Sequence, residues 1–183
     1  MLPTLCIAIG RSDLSVESTI ACDREALELL ARSVANNHQL YPELVLAIIE
    51  QESSFNPWAM RYEHAFFQRY ILPQWVNSKL PNITEAQARA FSWGLMQVMG
   101  QVAREYGFEG AFLAELCDPA VGLEIGCRVL AAKLAAADGN VTKALLLWNG
   151  GSNAAYPQQV LARAEKYKPA PSAAPAGSCS PGP

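Results

Sequence analysis

Two glutamates stand two residues apart in the segment IIEQESSF, which covers residues 48–55. Residues at this spacing on a helix point to nearly opposite faces, so Glu50 and Glu52 would have different surroundings. A carboxyl group withdrawn from water keeps its proton to a higher pH and can act as a general acid, whereas a solvated carboxylate is ordinary surface. The question is therefore which of the two glutamates faces the core.

A helix through YPELVLAIIEQES, residues 41–53, separates the two glutamates clearly. At about 100° per residue, Glu52 falls near the middle of the apolar side, one turn past Ile48 and two turns past Leu44. Glu50 falls on the opposite side, where we expect an ordinary solvated acid. Desolvation and the negative end of the helix dipole would both raise the pKa of Glu52. The pattern favours Glu52 as a general acid, and the alternative is a structural glutamate bonded to a cap or an arginine.

The composition is that of one globular domain. Of the 183 residues, 51% are hydrophobic and 17% are charged, and the net charge is −3. This charge gives no basic surface for nucleic acid, and no apolar run reaches the roughly 18 residues of a membrane helix. We therefore expect no nucleic-acid partner and no stable membrane insertion. The five cysteines contain no C-x-x-C pair and the two histidines lack ligand spacing, so we expect no metal site.

Helical periodicity dominates and no convincing alternating strand is present, which predicts a mainly α (all-α) fold. The stretch from Asn56 to Leu80 reads as irregular and rich in aromatic residues. The predicted helices cover residues 24–37, 42–53, 94–107, 118–139, 140–148 and 156–167. Asp23 and Asp118 are the predicted caps of the first and fourth of these helices, Pro42 and Pro119 are predicted first residues, and Gly139 marks an end. Thr84 and Gln87 predict a capping box for a further short helix toward Phe91.

The composition also divides the chain into three parts. Residues 1–22 form an N-terminal extension without a convincing signal peptide, because its apolar stretch lacks a basic start and a small-residue cleavage site. Residues 23–168 form the domain. Residues 169–183 are rich in proline and alanine and cannot bury a core, which predicts a disordered tail or the start of a linker.

Four segments occur in an order that is specific as a set: ESSFNPWA (52–59), SWGLMQV (92–98), LLLWNGGSN (145–153) and YPQQVL (156–161). Together they resemble the lysozyme-like lytic transglycosylases of the soluble (SLT) type, including phage-carried forms. The resemblance covers roughly residues 40–167. It implies a lysozyme-like helical fold with a cleft for peptidoglycan glycan strands, and one catalytic glutamate, which is Glu52.

The resemblance also implies substrate-binding residues. In this family the GLMQ helix lines the cleft, which assigns Gly94, Met96 and Gln97 to it. Gly94 would let the backbone approach a sugar, and the amide of Gln97 would bond sugar hydroxyl and acetamide groups. Core packing is the alternative for Met96 and the better explanation for Leu95.

The chain departs from the family near the catalytic acid, where LWN stands in place of the usual AYN. Asn149 still matches, but Trp148 replaces the tyrosine, and an indole N–H can donate a hydrogen bond but not accept one. Trp148 either stacks on a sugar at the floor of the cleft or anchors the core. Tyr156 is a candidate for the missing hydroxyl.

A second departure is the long segment 60–91, because many members join the two motifs with fewer residues and the serine after their NPxA motif has no secure counterpart. The segment contains Glu63, Arg61, Tyr62 and Trp75. It is either a cleft wall or lid that offers aromatic faces to sugars, or a satellite hydrophobic cluster with a salt-bridged surface. Glu63 is the candidate for a second, substrate-binding carboxylate.

The mechanism that the resemblance implies uses one glutamate twice and needs no metal and no cofactor. Glu52 would protonate the glycosidic oxygen between N-acetylmuramic acid (MurNAc) and N-acetylglucosamine (GlcNAc), and then accept the proton of the 6-hydroxyl that closes a 1,6-anhydro ring. The alternatives are a hydrolytic lysozyme of the goose type and an inactive glycan-binding or virion structural protein. We expect a monomer that acts on the cell wall, whether periplasmic, secreted or phage-delivered.

Overall fold

The computed structural model describes residues 23–169, and the predicted N-terminal extension and nearly all of the predicted tail lie outside them. The chain is mainly helical, as predicted. The α-helices are α1 (Arg24–Asn37), α2 (Pro42–Ser53), α3 (His64–Phe66), α4 (Leu72–Val76), α5 (Ile83–Ala88), α6 (Gly100–Glu105), α7 (Pro119–Ala136), α8 (Val141–Trp148) and α9 (Tyr156–Ala164). The strands are β1 (Met60–Tyr62), β2 (Phe91–Trp93) and β3 (Val98–Met99), a π-helical turn (Phe67–Ile71) joins α3 to α4, and 3-10 turns cover Leu113–Cys117 and Glu165–Tyr167. Within residues 23–169, no helix is long and apolar enough to cross a membrane.

The caps of the long helices form as the sequence predicts. The side chains of Asp23 and Asp118 accept backbone N–H groups in the first turns of α1 and α7, and Pro119 is the first residue of α7. Gly139 follows α7 with a φ of 75°, and its N–H donates to the carbonyl oxygen of Leu134 at 2.9 Å. These local contacts satisfy groups that a helix end leaves unpaired, which is why short sequence signals suffice to locate them.

The capping box predicted for the short helix is wrong. α5 begins at Ile83, and its cap is Asn82, whose side chain accepts the N–H of Glu85 at 2.8 Å. Thr84 and Gln87 therefore lie inside the helix. Asparagine is as good a cap as threonine, so two candidate caps stood two residues apart and the sequence did not separate them.

The core is built around α2. All six of its residues from Leu44 to Ile49 are buried, so α2 has apolar contacts on every side, as expected of a helix at the centre of a domain. α1 and α9 contact α2, and α7 contacts α1 and α8. The last turn of α2 reaches the edge of this core, where a carboxyl group is only partly withdrawn from water.

A three-stranded antiparallel sheet in the order β1-β2-β3 lies where the sequence predicted an irregular stretch and a helix. The register pairs Met60 with Trp93 and Ser92 with Met99. The helix predicted over 94–107 is wrong in its first half, because Gly94–Gln97 form the turn between β2 and β3 and α6 begins at Gly100. Gly94 has a φ of 68° and Gln97 a φ of 48°, which an α-helix does not accommodate.

The segment 60–91 has a hydrophobic cluster of its own, separate from the main core. Its buried members are Phe67, Ile71, Leu80, Ala86 and Ala90, with Phe66, Leu72 and Trp75 packed against them. Glu85 ties this cluster to α6 through an ion pair with Arg104, and the Arg61–Glu63 pair lies at its surface. The segment therefore forms a satellite cluster with a salt-bridged surface, and its action as a cleft wall or lid stays a prediction.

Candidate active site

Glu52 lies in the last turn of α2, at the edge of the core. Its Oε1 accepts a hydrogen bond of 2.5 Å from the hydroxyl of Tyr156, which is 104 residues away in sequence. Tyr156 is the first residue of α9 and is only 5% exposed. Burial and the neighbouring charge of Glu52 raise the pKa of Tyr156, so the phenol keeps its proton and remains a donor.

Burial also raises the pKa of Glu52 above its ordinary value. The Tyr156 hydroxyl, the Trp148 indole N–H and the positive charge of Arg61 favour the carboxylate and lower this pKa, but they do not outweigh burial. The hydrogen bond from Tyr156 to Glu52 has standard geometry, whereas the approach of the Trp148 N–H to Glu52 does not meet that geometry and is the weaker contact. The carboxyl therefore keeps its proton to a higher pH than a free glutamate does.

Trp148 lies between the main core and the candidate catalytic residues, and its stacking on a sugar stays a prediction. It is half-buried, it packs against the main core, and its indole N–H is close enough to affect both Glu52 and Tyr156. It is the last residue of α8, so its ring lies at the point where the core meets the carboxyl.

Asn149 organises the loop that follows α8. Its Nδ2 donates to the carbonyl oxygen of Asn153 at 3.0 Å, and its Oδ1 accepts the N–H of Gly151 at 2.9 Å. The side chain thus closes the glycine-rich loop that leads to Tyr156. The position of the Tyr156 hydroxyl depends on this loop, because the loop sets where α9 begins.

Ser53 is a site residue that the sequence reasoning missed. Its hydroxyl donates to the carbonyl oxygen of Leu95 at 2.8 Å and lies 3.2 Å from that of Ile49. This contact attaches the end of α2, and therefore Glu52, to the turn between β2 and β3. The available signal was the position of Ser53 directly after the anomalous glutamate, at a helix end where a hydroxyl finds unpaired carbonyl groups.

The residues of that turn make protein contacts where the sequence predicted sugar contacts. A Cβ at Gly94 would lie 2.3 Å from the carbonyl oxygen of Leu116, so the close approach that requires glycine is to protein backbone. Met96 is 1% exposed and belongs to the core, and it packs against Gly126. These contacts explain both residues by packing within the protein, and a role of Gly94 and Met96 in sugar binding stays a prediction.

Gln97 braces the turn from inside. Its Nε2 donates to the carbonyl oxygens of Ala59, at 2.9 Å, and Gly94, at 3.0 Å, and its Oε1 accepts the hydroxyl of Ser92 at 3.1 Å. Both amide hydrogens are used by protein, which leaves one lone pair of the amide oxygen for another donor. Its contacts hold β1 and the turn together.

Glu63 forms an ion pair with Arg61, with Oε1 and Nε 2.5 Å apart. The side chain of Arg61 is 72% exposed, and its positive charge lowers the pKa of Glu52. Glu63 is therefore a paired anion that holds Arg61.

Glu50 is not the solvated acid that the helical wheel predicts. It accepts hydrogen bonds from Lys166 at 2.7 Å and from the hydroxyl of Tyr167 at 2.6 Å, and its side chain is 23% exposed. These two donors, followed by the nearby positive charges, hold the pKa of Glu50 below its ordinary value. The helical wheel identified the face of Glu50 correctly but could not show that the turn Glu165–Tyr167 folds back over that face.

Glu50→Gln is expected to lower stability by about 1–2 kcal/mol at neutral pH, because the hydrogen bonds from Lys166 and Tyr167 lose their charged acceptor. The specific activity should stay unchanged, because Glu50 points to the opposite face of the helix from Glu52. Because the pKa of Glu50 is lower in the folded than in the unfolded protein, its carboxylate stabilises the fold above the unfolded pKa. This stabilisation is lost as the pH falls through the folded pKa. The cost should therefore disappear in acid. Urea unfolding measures it, and Glu165→Gln, whose carboxylate is 66% exposed in its pair with Lys168, is the control with almost no cost. A dead Glu50→Gln enzyme would overturn the assignment of the two glutamates.

The described cysteines and acids do not form a metal site. Within residues 23–169, no group of three or more histidine, cysteine, aspartate and glutamate side chains could hold a metal ion. Cys117 and Cys127 are buried free thiols, and burial raises the pKa of Cys127 to about 12. Neither thiol is therefore activated as a thiolate.

A mainly helical domain with a partly buried glutamate at the end of its central helix, against a short antiparallel sheet, defines the lysozyme-like class of proteins. The sequence profile described as the transglycosylase SLT domain matches residues 30–170, and the chain therefore belongs to that family. The match confirms the resemblance inferred from the four motifs. Searches among curated proteins and among solved structures found no significant match.

Proposed function

We propose that the protein is a lytic transglycosylase that cleaves the MurNAc–GlcNAc bond of peptidoglycan, with Glu52 as both general acid and general base. Family membership supports the reaction class and the glycan substrate. The observation that carries the assignment to Glu52 is its partly buried carboxyl, which has a raised pKa and a fixed phenol donor 2.5 Å away. A general acid near neutral pH needs such an environment.

In the first step, protonated Glu52 donates its proton to the glycosidic oxygen. The bond between the anomeric carbon of MurNAc and that oxygen breaks, its electron pair stays with the departing GlcNAc as a hydroxyl group, and the 2-acetamido group stabilises the cationic centre. The raised pKa keeps the required proton in place before the bond breaks.

In the second step, the Glu52 carboxylate accepts the proton of the 6-hydroxyl of the same MurNAc. The oxygen attacks the anomeric carbon and closes a 1,6-anhydro ring, which restores protonated Glu52 without consuming water. Tyr156 donates to the carboxylate throughout this step, because its own pKa is raised and it does not ionise. Trp148 adds a second N–H and an apolar face at the same point.

The remaining residues of the proposed site position these groups. Asn149 shapes the loop that precedes Tyr156, and Gln97 and Ser53 fix the turn against the end of α2. Clearing of a peptidoglycan suspension tests the activity as a whole. We expect the wild-type protein to clear it, whereas an inert glycan-binding or virion structural protein would bind the walls without clearing them.

Tyr156→Phe is expected to lower kcat about tenfold, which corresponds to the loss of one hydrogen bond to a charged group. Because the hydroxyl lowers the pKa of Glu52, its removal raises that pKa further. The alkaline limb of the pH–rate profile, where Glu52 loses its proton, should therefore move to higher pH. An alkaline limb that stays in place in Tyr156→Phe would show that the phenol does not act on the catalytic carboxyl.

A further inference from the structure

Trp58 is an exposed tryptophan on a braced turn. The residue is 64% exposed, yet its turn is fixed, because Asn56 accepts the N–H of Trp58 through its side chain and that of Ala59 through its backbone. The carbonyl oxygen of Ala59 in turn accepts Gly94 N–H and Gln97 Nε2. An exposed tryptophan on a braced backbone can offer its aromatic face to a ligand.

Arg61 lies three residues after Trp58, and its two terminal guanidinium nitrogens are available as hydrogen-bond donors. Its Nε bonds Glu63, while among residues 23–169 neither Nη1 nor Nη2 has a hydrogen-bond partner. The two terminal nitrogens of a guanidinium form a fork that matches a carboxylate. Glu63 fixes the inner edge of the group and leaves this fork open.

Both residues lie on segments that are bonded to the turn beside Glu52. Arg61 pairs with Ser92 in the sheet, and the Ser92 hydroxyl donates to Gln97. The turn that carries Trp58 is bonded through Gln97 to the same GLMQ turn whose Leu95 carbonyl accepts the hydroxyl of Ser53, next to Glu52. The charge of Arg61 is also close enough to lower the pKa of Glu52. A sugar on Trp58 and a charge on Arg61 would therefore be parts of one ligand that also reaches the catalytic carboxyl.

We propose that Trp58 and Arg61 form a subsite for an acidic sugar, in which the indole stacks on the pyranose ring and the guanidinium fork binds a carboxylate that the sugar carries. The inference rests on the proposed function, because in peptidoglycan only the muramic residue bears such a group. The carboxylate belongs either to its free lactyl group, in strands stripped of peptide, or to the attached peptide. A neutral chitin-like strand offers no partner for Arg61.

Binding to a Glu52→Gln background, in which the ligand survives, tests the subsite directly. The ligands are stripped glycan fragments with free lactyl carboxylates, the same fragments after conversion of those groups to neutral amides, and peptide-bearing fragments in native and amidated form. Arg61→Gln should weaken binding about tenfold for at least one acidic ligand and leave its amidated counterpart unchanged. Arg69→Gln, which removes another exposed arginine of segment 60–91, should weaken neither.

A loss confined to the stripped fragments assigns the carboxylate to the lactyl group, and a loss confined to the peptide-bearing fragments assigns it to the peptide. Equal losses on acidic and amidated ligands, or no loss on any, would overturn the role of Arg61 in recognition. Failure of the proposed function is distinct, since it would appear as a wild-type protein that does not clear walls, whatever Arg61→Gln binds.

The stacking half of the subsite is tested with Trp58→Ala in the same background. It should weaken binding of acidic and amidated ligands alike, by about tenfold, because an aromatic surface does not sense the charge of the ligand. Phe112→Ala removes another exposed ring, 71% exposed, and is the matched control. If Trp58→Ala binds as tightly as its parent, the tryptophan is not part of the subsite.

Discussion

Glu52→Gln is expected to lower the rate of peptidoglycan cleavage by at least about 10²-fold while the protein stays folded. The amide has nearly the shape of the carboxyl and can still accept the Tyr156 hydroxyl, but it has no proton to deliver to the glycosidic oxygen. The rate of wall clearing measures the loss of cleavage, and a circular dichroism spectrum shows whether the protein stays folded. Retained activity in Glu52→Gln would remove Glu52 from the mechanism.

The same variant should also be more stable than the wild type at neutral pH. Burial raises the folded pKa of Glu52, so its contribution to stability is fully present below the unfolded pKa and is lost as the pH rises through the folded pKa. Glutamine does not titrate, so the variant does not lose this stability as the pH rises. The free energy of unfolding of Glu52→Gln, relative to that of the wild type, should therefore rise between about pH 4 and about pH 7, as measured by urea unfolding. Glu50→Gln, whose wild-type pKa is lowered, should show the opposite trend.

Gly94→Ala is expected to destabilise the fold by about 3 kcal/mol or more, the largest stability effect that we predict for a single methyl group. Two costs combine, because the φ of 68° disfavours alanine and the new Cβ would meet the Leu116 carbonyl oxygen at 2.3 Å. Gly139→Ala separates them, since Gly139 has a φ of 75° with no atom within 4 Å of a Cβ. That control should lose only about 1 kcal/mol.

Urea unfolding of the two alanine variants measures this difference. Equal losses at both positions would mean that the backbone near Leu116 moves aside easily. A stable Gly94→Ala protein that no longer cleaves peptidoglycan would instead favour the interpretation taken from sequence, in which glycine lets a sugar approach.

The helices could be predicted because their signals are local. Asp23 and Asp118 bond N–H groups two or three residues away, and the apolar run of α2 identifies a central helix from composition alone. The partly buried position of Glu52 follows from the same run, since residue spacing along a helix determines which face a side chain occupies. Residues 41–53 alone are sufficient to predict the partly buried position of Glu52.

The sheet and the partners of the acids could not be predicted because they depend on distant contacts. Strands of two or three residues are too short to show alternation, and the left-handed backbone at Gln97 leaves no mark in the sequence. The partner of Glu52 lies 104 residues away, on α9, and the partners of Glu50 lie more than 100 residues away, in the turn Glu165–Tyr167. Only the packing of α9 against α2 brings them together.

Mass spectrometry of a peptidoglycan digest tests the central claim most directly. If Glu52 passes the proton of the 6-hydroxyl and no water enters, the wild-type protein releases fragments with 1,6-anhydroMurNAc ends, one water lighter than the products of hydrolysis. These fragments should be absent from a parallel digest with Glu52→Gln. Fragments of full hydrolytic mass, or anhydro fragments that persist in the variant, would contradict the account.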